Sequence, residues 1–582
     1  MISNYAEVPR HLRRIAVLGF AALTATGLAI GNAEAGGNRF KASGPDMGAG
    51  EGSELRTPLQ FEEEAANNPL AGRQVLFSRC RAAPFAGNTT LYAPLASPKH
   101  DAIVGDTAFA FADGSTCYNP QNEQNIVINP ANSQNIVTSA NEYRDNSHVV
   151  YYSTNGGASW VNVTLPGWTR ATGGSGIFGL LDSCGDPVLA FSPDGGRLYY
   201  SGLVCNFDKF PRQISGVAVA VSLDGGASWD APVMVSSTAS GDFFQDKEWI
   251  GVGNDGTVYL TWTKFYQGPR GLGYLRSPIV MASSKTGGKS WSSVKEVSDA
   301  AHPYNQGSQV AMAPDGSLYV AYEGATPGSG YSQDALIVAR STDGGKTFTN
   351  TEVARVFDDL DCYPFQRPGA QNRQTLSFEQ FRINSFPSMA IDRSNGKIAI
   401  VWADNEGAGN CGSGAASFVG TTSNQVKLVT SGDGVNWSLP AKITTGSADK
   451  VYPSVGANAG RIVVGFYTRE YSPVPTDADR RCGISERDTA TGNVVLPTDA
   501  ARRNAPVCLD WALKSSDDGF VNQRRVTAQS SNPYILFAGS FIGDYTGTAV
   551  DASGRAVTVW TDFRGNPGLT PANQDVVVGT GF

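Results

Sequence analysis

The sequence predicts an all-β chain folded as a β-propeller, a ring of four-stranded blades. Two repeated peptides and one period carry that prediction. The peptide STDGGKTF at Ser341 to Phe348 recurs as STNGGASW from Ser153, SLDGGASW from Ser222, SKTGGKSW from Ser284, SGDGVNWS from Ser431 and SSDDGFVN from Ser515. A second hairpin recurs as NPANSQNIV from Asn129, SPDGGRLYY from Ser192, GNDGTVYLTW from Gly253, APDGSLYVAY from Ala313, DRSNGKIAIVW from Asp392, ANAGRIVVGFY from Ala457 and DASGRAVTVW from Asp551. The strands that follow it alternate with period two, as Val258, Leu260 and Trp262 do, and as Ile398, Ile400 and Trp402 do. Period-two strands on successive hairpins are the mark of radially packed blades.

Each turn peptide has a mechanism. Glycine supplies positive φ, the Asp or Asn side chain bonds to the turn's own amides, and the terminal aromatic folds over the turn. Each unit therefore reads as an apolar strand, a hairpin, a strand ending in an aromatic, and a turn peptide. The count is seven units. In the last, Val557 and Val559 are followed out of step by Trp560, and only three strands are available between Phe541 and Phe582. A fourth strand from the region before Asn122, around Ile103 to Phe111, would complete the blade and close the ring with N- and C-terminal strands. The two longest intervals between turn peptides hold Asp358 to Phe381 and Ser472 to Pro506, long cysteine-bearing insertions of the kind that shape a binding face.

Residues 1–35 read as a signal peptide: Arg10, Arg13 and Arg14 precede an apolar run from Ile15 to Ile30, and Ala33-Glu34-Ala35 offers a cleavage site. The general secretory route fits the flanks, and the Arg13-Arg14 pair leaves the twin-arginine route open. A secreted or periplasmic protein is expected. Residues 36–88, with the run EEEAANN at Glu62 to Asn68, read as a linker or N-terminal cap, and 89–582 as the propeller. No later run reaches the about 18 apolar residues of a membrane span.

The net charge is −8 over 582 residues, and removing the leader makes it one unit more negative. Nucleic acid and an anionic membrane surface are disfavoured as partners, because no basic block offsets that charge. The 67 glycines and low charge fit many short strands joined by turns. A monomer is expected. Eight cysteines without a C-x-x-C pair point to disulfides. Pairing neighbours gives Cys80–Cys117, Cys184–Cys205, Cys362–Cys411 and Cys482–Cys508, of which only Cys184–Cys205 brackets a single hairpin.

Strand order places both hairpin types on one rim, so function belongs on the opposite rim. The residues expected there are Glu142-Tyr143-Arg144-Asp145, Asp246-Lys247-Glu248, Lys264-Phe265-Tyr266, Tyr322-Glu323, Asp404-Asn405-Glu406, Arg469-Glu470-Tyr471, Asp544-Tyr545 and Asp562-Phe563-Arg564. An arginine fork holds a carboxylate, a carboxylic acid protonates a leaving oxygen, and a tyrosine activated by a carboxylate attacks an anomeric carbon. Asp246, Glu248, Glu323, Asp404, Glu470, Asp544 and Tyr545 are therefore the candidate catalytic residues. Arg144, Arg382, Arg469, Arg564 and Tyr266 are the candidate substrate-binding residues. Asp246 and Asp544, both entering inner strands, are expected to point into the central channel. The bland alternative for any one of them is an exposed loop charge or a bond to a neighbouring blade.

The pattern Ser-x-Asp-x-Gly-x-x-Trp resembles the Asp box of the sialidase superfamily and other bacterial-neuraminidase-repeat propellers. That resemblance covers most of the chain after the leader, implies six blades where the count of units gives seven, and implies a glycoside hydrolase of the exo-α-sialidase type acting on an extracellular glycan. Phe381-Arg382-Ile383-Asn384 is similar to the family's Phe/Tyr-Arg-Ile-Pro motif, though it lies after four boxes and lacks the proline. The family's tyrosine nucleophile would correspond to Tyr545 and its arginine triad to members of Arg144, Arg469 and Arg564. Two other readings stay open: a non-catalytic propeller binding a glycan or protein, and a polysaccharide lyase acting on a uronate polymer, which His148 or His302 near Arg144 would favour.

His100, His148 and His302 form no H-E-x-x-H, and no G-x-S-x-G elbow or phosphate loop occurs, so a zinc hydrolase or serine triad has little support. No cofactor is required by this chemistry. Asp358-Asp359-Asp361 and Asp477-Asp479 are candidate calcium loops without EF-hand spacing.

Overall fold

The computed structural model describes residues 90–91, 101–104, 109–110, 116–117 and most of 120–582, apart from 144–146, 207–213, 240–242, 268–273, 330–333, 357–375, 380, 382, 406–421, 485, 488–493, 499, 536–540 and 566–572. Seven antiparallel sheets of four or five strands follow one another along the chain. Their inner strands are Gln121–Ile128, Asp182–Phe191, Phe243–Val252, Asn305–Met312, Ser388–Ile391, Lys450–Asn458 and Gly547–Val550, numbered here as blades 1 to 7. The chain is a seven-bladed β-propeller, as the hairpin count predicts; the six blades implied by family resemblance are not what it forms.

The missing strand of blade 7 comes from the N-terminal side. Asp101–Ile103 pairs antiparallel with Asp575–Gly579. It overlaps the start of the expected segment, with Ile103 opposite Val577 and Val104 N donating to Val576 O, whereas Phe109–Ala110 pairs with Thr116–Cys117. Thr90–Leu91 adds a fifth strand to blade 1. The signal peptide and the 36–88 segment lie outside the described residues. Cys184–Cys205 and Cys482–Cys508 are bonded; Cys80, Cys362 and Cys411 fall outside the description.

Period two decides the packing, because alternate residues of a strand face opposite neighbouring blades. The break of step in blade 7 has this cause: Val557 and Val559 pack toward blade 1 with Ile126 and Val149, whereas Trp560 turns to blade 6 and stacks on Trp511, their planes 4° apart. Side chains also fasten the innermost strands. Asn125 Oδ1 accepts from Leu189 N at 3.0 Å, Gln309 Oε1 from Met389 N at 2.7 Å, and Ser388 Oγ from Val455 N at 3.1 Å. Each joins one blade to the next and satisfies an edge amide that no strand covers.

The turn peptides share one set of bonds. In blade 4, Ser341 Oγ accepts from Gly345 N at 2.8 Å, while Asp343 Oδ1 accepts from Lys346 N and Thr347 N. In blades 1, 2 and 3 the closing Trp160, Trp229 and Trp291 each donate Nε1 to the carbonyl of the second glycine. Asn135 Nδ2, in the first hairpin of blade 1, donates to Gly225 O in the turn of blade 2. Both hairpin types thus share a rim, and the inner strands start at the other one.

Candidate active site at the propeller axis

Near its start, the inner strand slips register in blade after blade. Pairing skips Glu123 and Gln124 in blade 1, Lys247 and Glu248 in blade 3, Gly307 and Ser308 in blade 4, and Tyr452 and Pro453 in blade 6. A further shift lies around Asp186 in blade 2. The first residue of each bulge has positive φ: Glu123 at 58°, Asp186 at 55°, Lys247 at 51°, Gly307 at 72° and Tyr452 at 49°, with Gly543 of blade 7 at 93°. A bulge re-aims the side chain that follows it and bends the strand. Positive φ costs a non-glycine residue about 1–2 kcal/mol, and such strain gathers at functional positions. Glycine is required at Gly307 and Gly543 for a second reason, since a Cβ there would meet Phe386 at 2.6 Å and Glu123 N at 2.8 Å.

These bulges bring together charged groups from four blades. Tyr545 hydroxyl donates to Asp186 Oδ1 at 3.3 Å, and Lys247 N donates to Asp186 Oδ2 at 3.2 Å. Asn141 Nδ2 donates to Glu123 Oε2 at 2.5 Å while its Oδ1 accepts from Asp186 N at 2.9 Å, coupling blades 1 and 2. Asp544 N donates to Glu123 Oε1 at 3.2 Å. The Lys247 ammonium lies over the Tyr545 ring and 5.1 Å from the Trp249 ring. Glu248 is wholly buried, and neither of its carboxyl oxygens has a hydrogen-bond partner on another residue. Burial, then the charge of Asp186, holds its carboxyl well above the ordinary range. Burial likewise, then Asp186 and Glu123, holds the Tyr545 phenol well above its usual value. Tyr200, whose hydroxyl meets His148 Nδ1 at 2.9 Å, is raised by burial and by Glu248.

Toward the turn rim lies a cavity of about 650 Å³, lined by Asn125, Trp249, Gln309 and Ser454 among others.

Of the expected site residues, Glu248, Asp544 and Tyr545 meet at this axis, joined by Glu123 and Asp186, which sequence reasoning did not select. Asp246 and Asp544 are not equivalent: counted from the positive-φ residue, Asp544 matches Glu248, and Asp246 turns instead to Gln306 of blade 4, accepting from its Nε2 at 2.9 Å. Asp404 is buried in blade 5 with Lys427 Nζ at 2.8 Å and Trp402 Nε1 at 2.9 Å. Glu323 is buried in blade 4 opposite Gln306. Glu470 is half exposed and accepts from Gln523. Arg469 is ion-paired with Asp449 and donates to Ser377 O, with the buried Glu379 at 3.9 Å. Arg564 pairs with Asp562. Tyr266 packs beside Phe243 and under Arg276. Arg144 and Arg382 lie outside the described residues. His148 is enclosed against Trp168 and Tyr200, and His302 bridges Asp299 and Glu352.

Asp477 pairs with Arg503 and Asp479 with Arg481. Among the described residues no group of three or more His, Cys, Asp or Glu is placed to hold a metal, and no helix is long and apolar enough to cross a membrane. A signal for Asp186 and Tyr452 does exist in the sequence, because each precedes a proline inside a strand run, where proline marks an edge or bulge. Glu123 and Lys247 carry no such mark.

No family model matches the chain, and no curated protein matches it. Among solved structures it is similar to a protein of unknown function from Dyadobacter fermentans DSM 18053, at 11% identity over 68% of this chain and 94% of that one, TM-score 0.39. It is also similar to Trypanosoma rangeli sialidase in complex with the inhibitor DANA, at 15% identity over 66% of this chain and 57% of that one, TM-score 0.37. A third similarity is to Penicillium chrysogenum alpha-L-arabinanase complexed with arabinobiose, at 14% identity over 65% of this chain and 93% of that one, TM-score 0.37.

Proposed function

We propose that the protein is an exported, carbohydrate-active propeller, a glycoside hydrolase whose reacting groups are those gathered at the axis. The observation that carries this is the set Tyr545, Asp186 and Glu248, supplied by three different blades. Glu248 keeps its proton to a higher pH than an ordinary carboxylic acid, which suits a group that protonates a glycosidic oxygen. Asp186 is the acceptor within reach of the Tyr545 hydroxyl. It can take the phenolic proton as that oxygen attacks an anomeric carbon. The net charge of −8 and the disulfides fit a glycan partner met outside the cytoplasm.

The sialidase type rests on the resemblance of the turn peptides alone. Arg469 and Arg564, expected to hold a sialic carboxylate, are engaged by Asp449 and Asp562. Purified protein should therefore be assayed against a fluorogenic sialoside, aryl glycosides of neutral sugars and a panel of uronate polymers. Turnover that falls by about 100-fold or more in Glu248→Gln, Asp186→Asn and Tyr545→Phe supports the proposal. A second reading, a non-catalytic binding propeller, is favoured by the burial of these groups against one another. No turnover on any substrate, with glycan-array binding retained, would establish that reading instead.

A further inference from the structure

The insertion between Arg461–Thr468 and Asp510–Ser515 joins the second and third strands of blade 6, so its described residues lie on the rim from which the inner strands start. Within it the guanidinium of Arg480 is turned inward. Its Nε, Nη1 and Nη2 are all closed off from solvent, and none has a hydrogen-bond partner. The neighbouring acids are bonded to other arginines, Asp477 to Arg503 and Asp479 to Arg481, and Arg480 acts on Asp477 only through its charge. Elsewhere, Arg461, Arg469, Arg525 and Arg555 each meet an aspartate. Arg480 is built differently.

Its place is also a made one. A Cβ on Gly483 would lie 2.8 Å from Arg480 Nη2 and 3.0 Å from its Cζ, so a side chain there would displace the planar head from this position. Gly483 N donates to Arg480 O at 2.9 Å, closing the turn. Asn532 Nδ2 donates to Arg481 O and Gly483 O, and Cys482 is tied to Cys508. An arginine does not shed its proton in a protein, and a buried charge without a partner is strongly unfavourable. A chain that builds a rigid cradle around such a head has a counter-ion to receive.

We propose that Arg480 is the recognition point of a small oxoanion, the carboxylate of an acidic sugar or a sulfate group, bound off the axis in the insertion that carries the Cys482–Cys508 bridge. The guanidinium fork matches two oxygens of either anion. The site stands whatever chemistry the axial cluster performs, because its readout is binding and not turnover.

Calorimetric titration and thermal unfolding of the whole chain with sodium sulfate and with sodium glucuronate, against sodium chloride at equal ionic strength, test it. The expected result is one saturable site for at least one of the two oxoanions, with a rise in Tm on the order of 3 °C near 100 times Kd. Saturation by only one of them assigns the sulfate or the carboxylate. Arg480→Gln should lose about 10-fold or more in affinity, yet unfold no lower than wild type in oxoanion-free buffer, since it removes a buried cation that holds no hydrogen bond. Gly483→Ala, which displaces the fork, should weaken binding as well. Three outcomes would overturn the proposal: no saturation by either anion, undiminished binding by Arg480→Gln, or an Arg480→Gln chain several degrees less stable without anion, which would mean the head already has a partner.

Discussion

The ammonium of Lys247 stands 3.3 Å from the centroid of the Tyr545 ring, a contact that reaches across the axis from blade 3 to blade 7. Its backbone is held at φ 51° to do so. Both features predict how substitutions rank. Lys247→Ala and Lys247→Gly each lose the cation over the ring, but only alanine keeps the left-handed strain. Lys247→Gly is expected to be the more stable by about 1 kcal/mol, the reverse of the order found in an ordinary strand. Denaturant midpoints of the two variants check this; alanine equal to or above glycine contradicts it.

Glu248 gives a pH dependence of defined sign. Its folded pKa is raised by burial and by Asp186, so the folded state holds a proton that the unfolded chain releases near pH 4.5. Its contribution to stability is full below that value and declines as pH rises toward the folded pKa. Glu248→Gln, which cannot ionise, should gain on wild type progressively above about pH 4.5 and match it below. Unfolding curves across pH 4 to 8 give the comparison, and a gap that narrows with rising pH would refute the assignment.

Asp343 behaves in the opposite sense. Bonds from Thr347 and Ser341 in the turn hold its carboxyl below the ordinary range. Those bonds favour the fold above about pH 3.8 and are lost as pH falls through the depressed value. Protection of the Lys346 and Thr347 amides, measured against the intrinsic exchange rate at each pH, should fall under acid before the strand Asp334–Ser341 opens. Simultaneous loss of protection in turn and strand would exclude a local effect.

The Cys482–Cys508 bridge closes a segment of sequence separation 26. Loop-closure entropy for that length corresponds to about 3.5 kcal/mol. Replacing both cysteines by alanine should lower the unfolding temperature and expose the insertion to protease while blades 1 to 5 keep their cores. An unchanged cleavage pattern would show that Ile484, Ala505 and Val507, packed on Phe378 and Tyr534, suffice alone.

Much of the architecture was legible because its causes are local. The Ser-x-Asp-x-Gly turns carry their own hydrogen bonds, so Ser341, Asp343 and Gly345 announce the turn without knowledge of any partner. The same holds for the seven hairpins and for the Cys184–Cys205 pair, which joins adjacent strands. Even the misstep at Trp560 was visible, although its meaning, a side chain directed to blade 6 and not blade 1, required the neighbouring sheet.

The axial cluster was only partly legible. Asp544, Tyr545 and Glu248 stood out as acids and a tyrosine near strand starts. Asp246, Asp404 and Arg469 looked just as suitable, and the structure engages them with Gln306, Lys427 and Asp449. Glu123 was overlooked because nothing in its flanking residues distinguishes it from paired strand positions, and Asp186 because the proline that follows it marks a bulge without showing which charges the bulge gathers.

By itself, then, the sequence determined the number of blades, the rim on which the turns gather and the all-β class, since glycine conformations and period-two burial act within a few residues. Tertiary packing set which charges meet, which arginines are bonded to an acid and which, like Arg480, hold no hydrogen bond. Those choices depend on strands brought together from distant parts of the chain and on two-residue bulges whose register is set by the packing of neighbouring blades, an energy that no single segment contains.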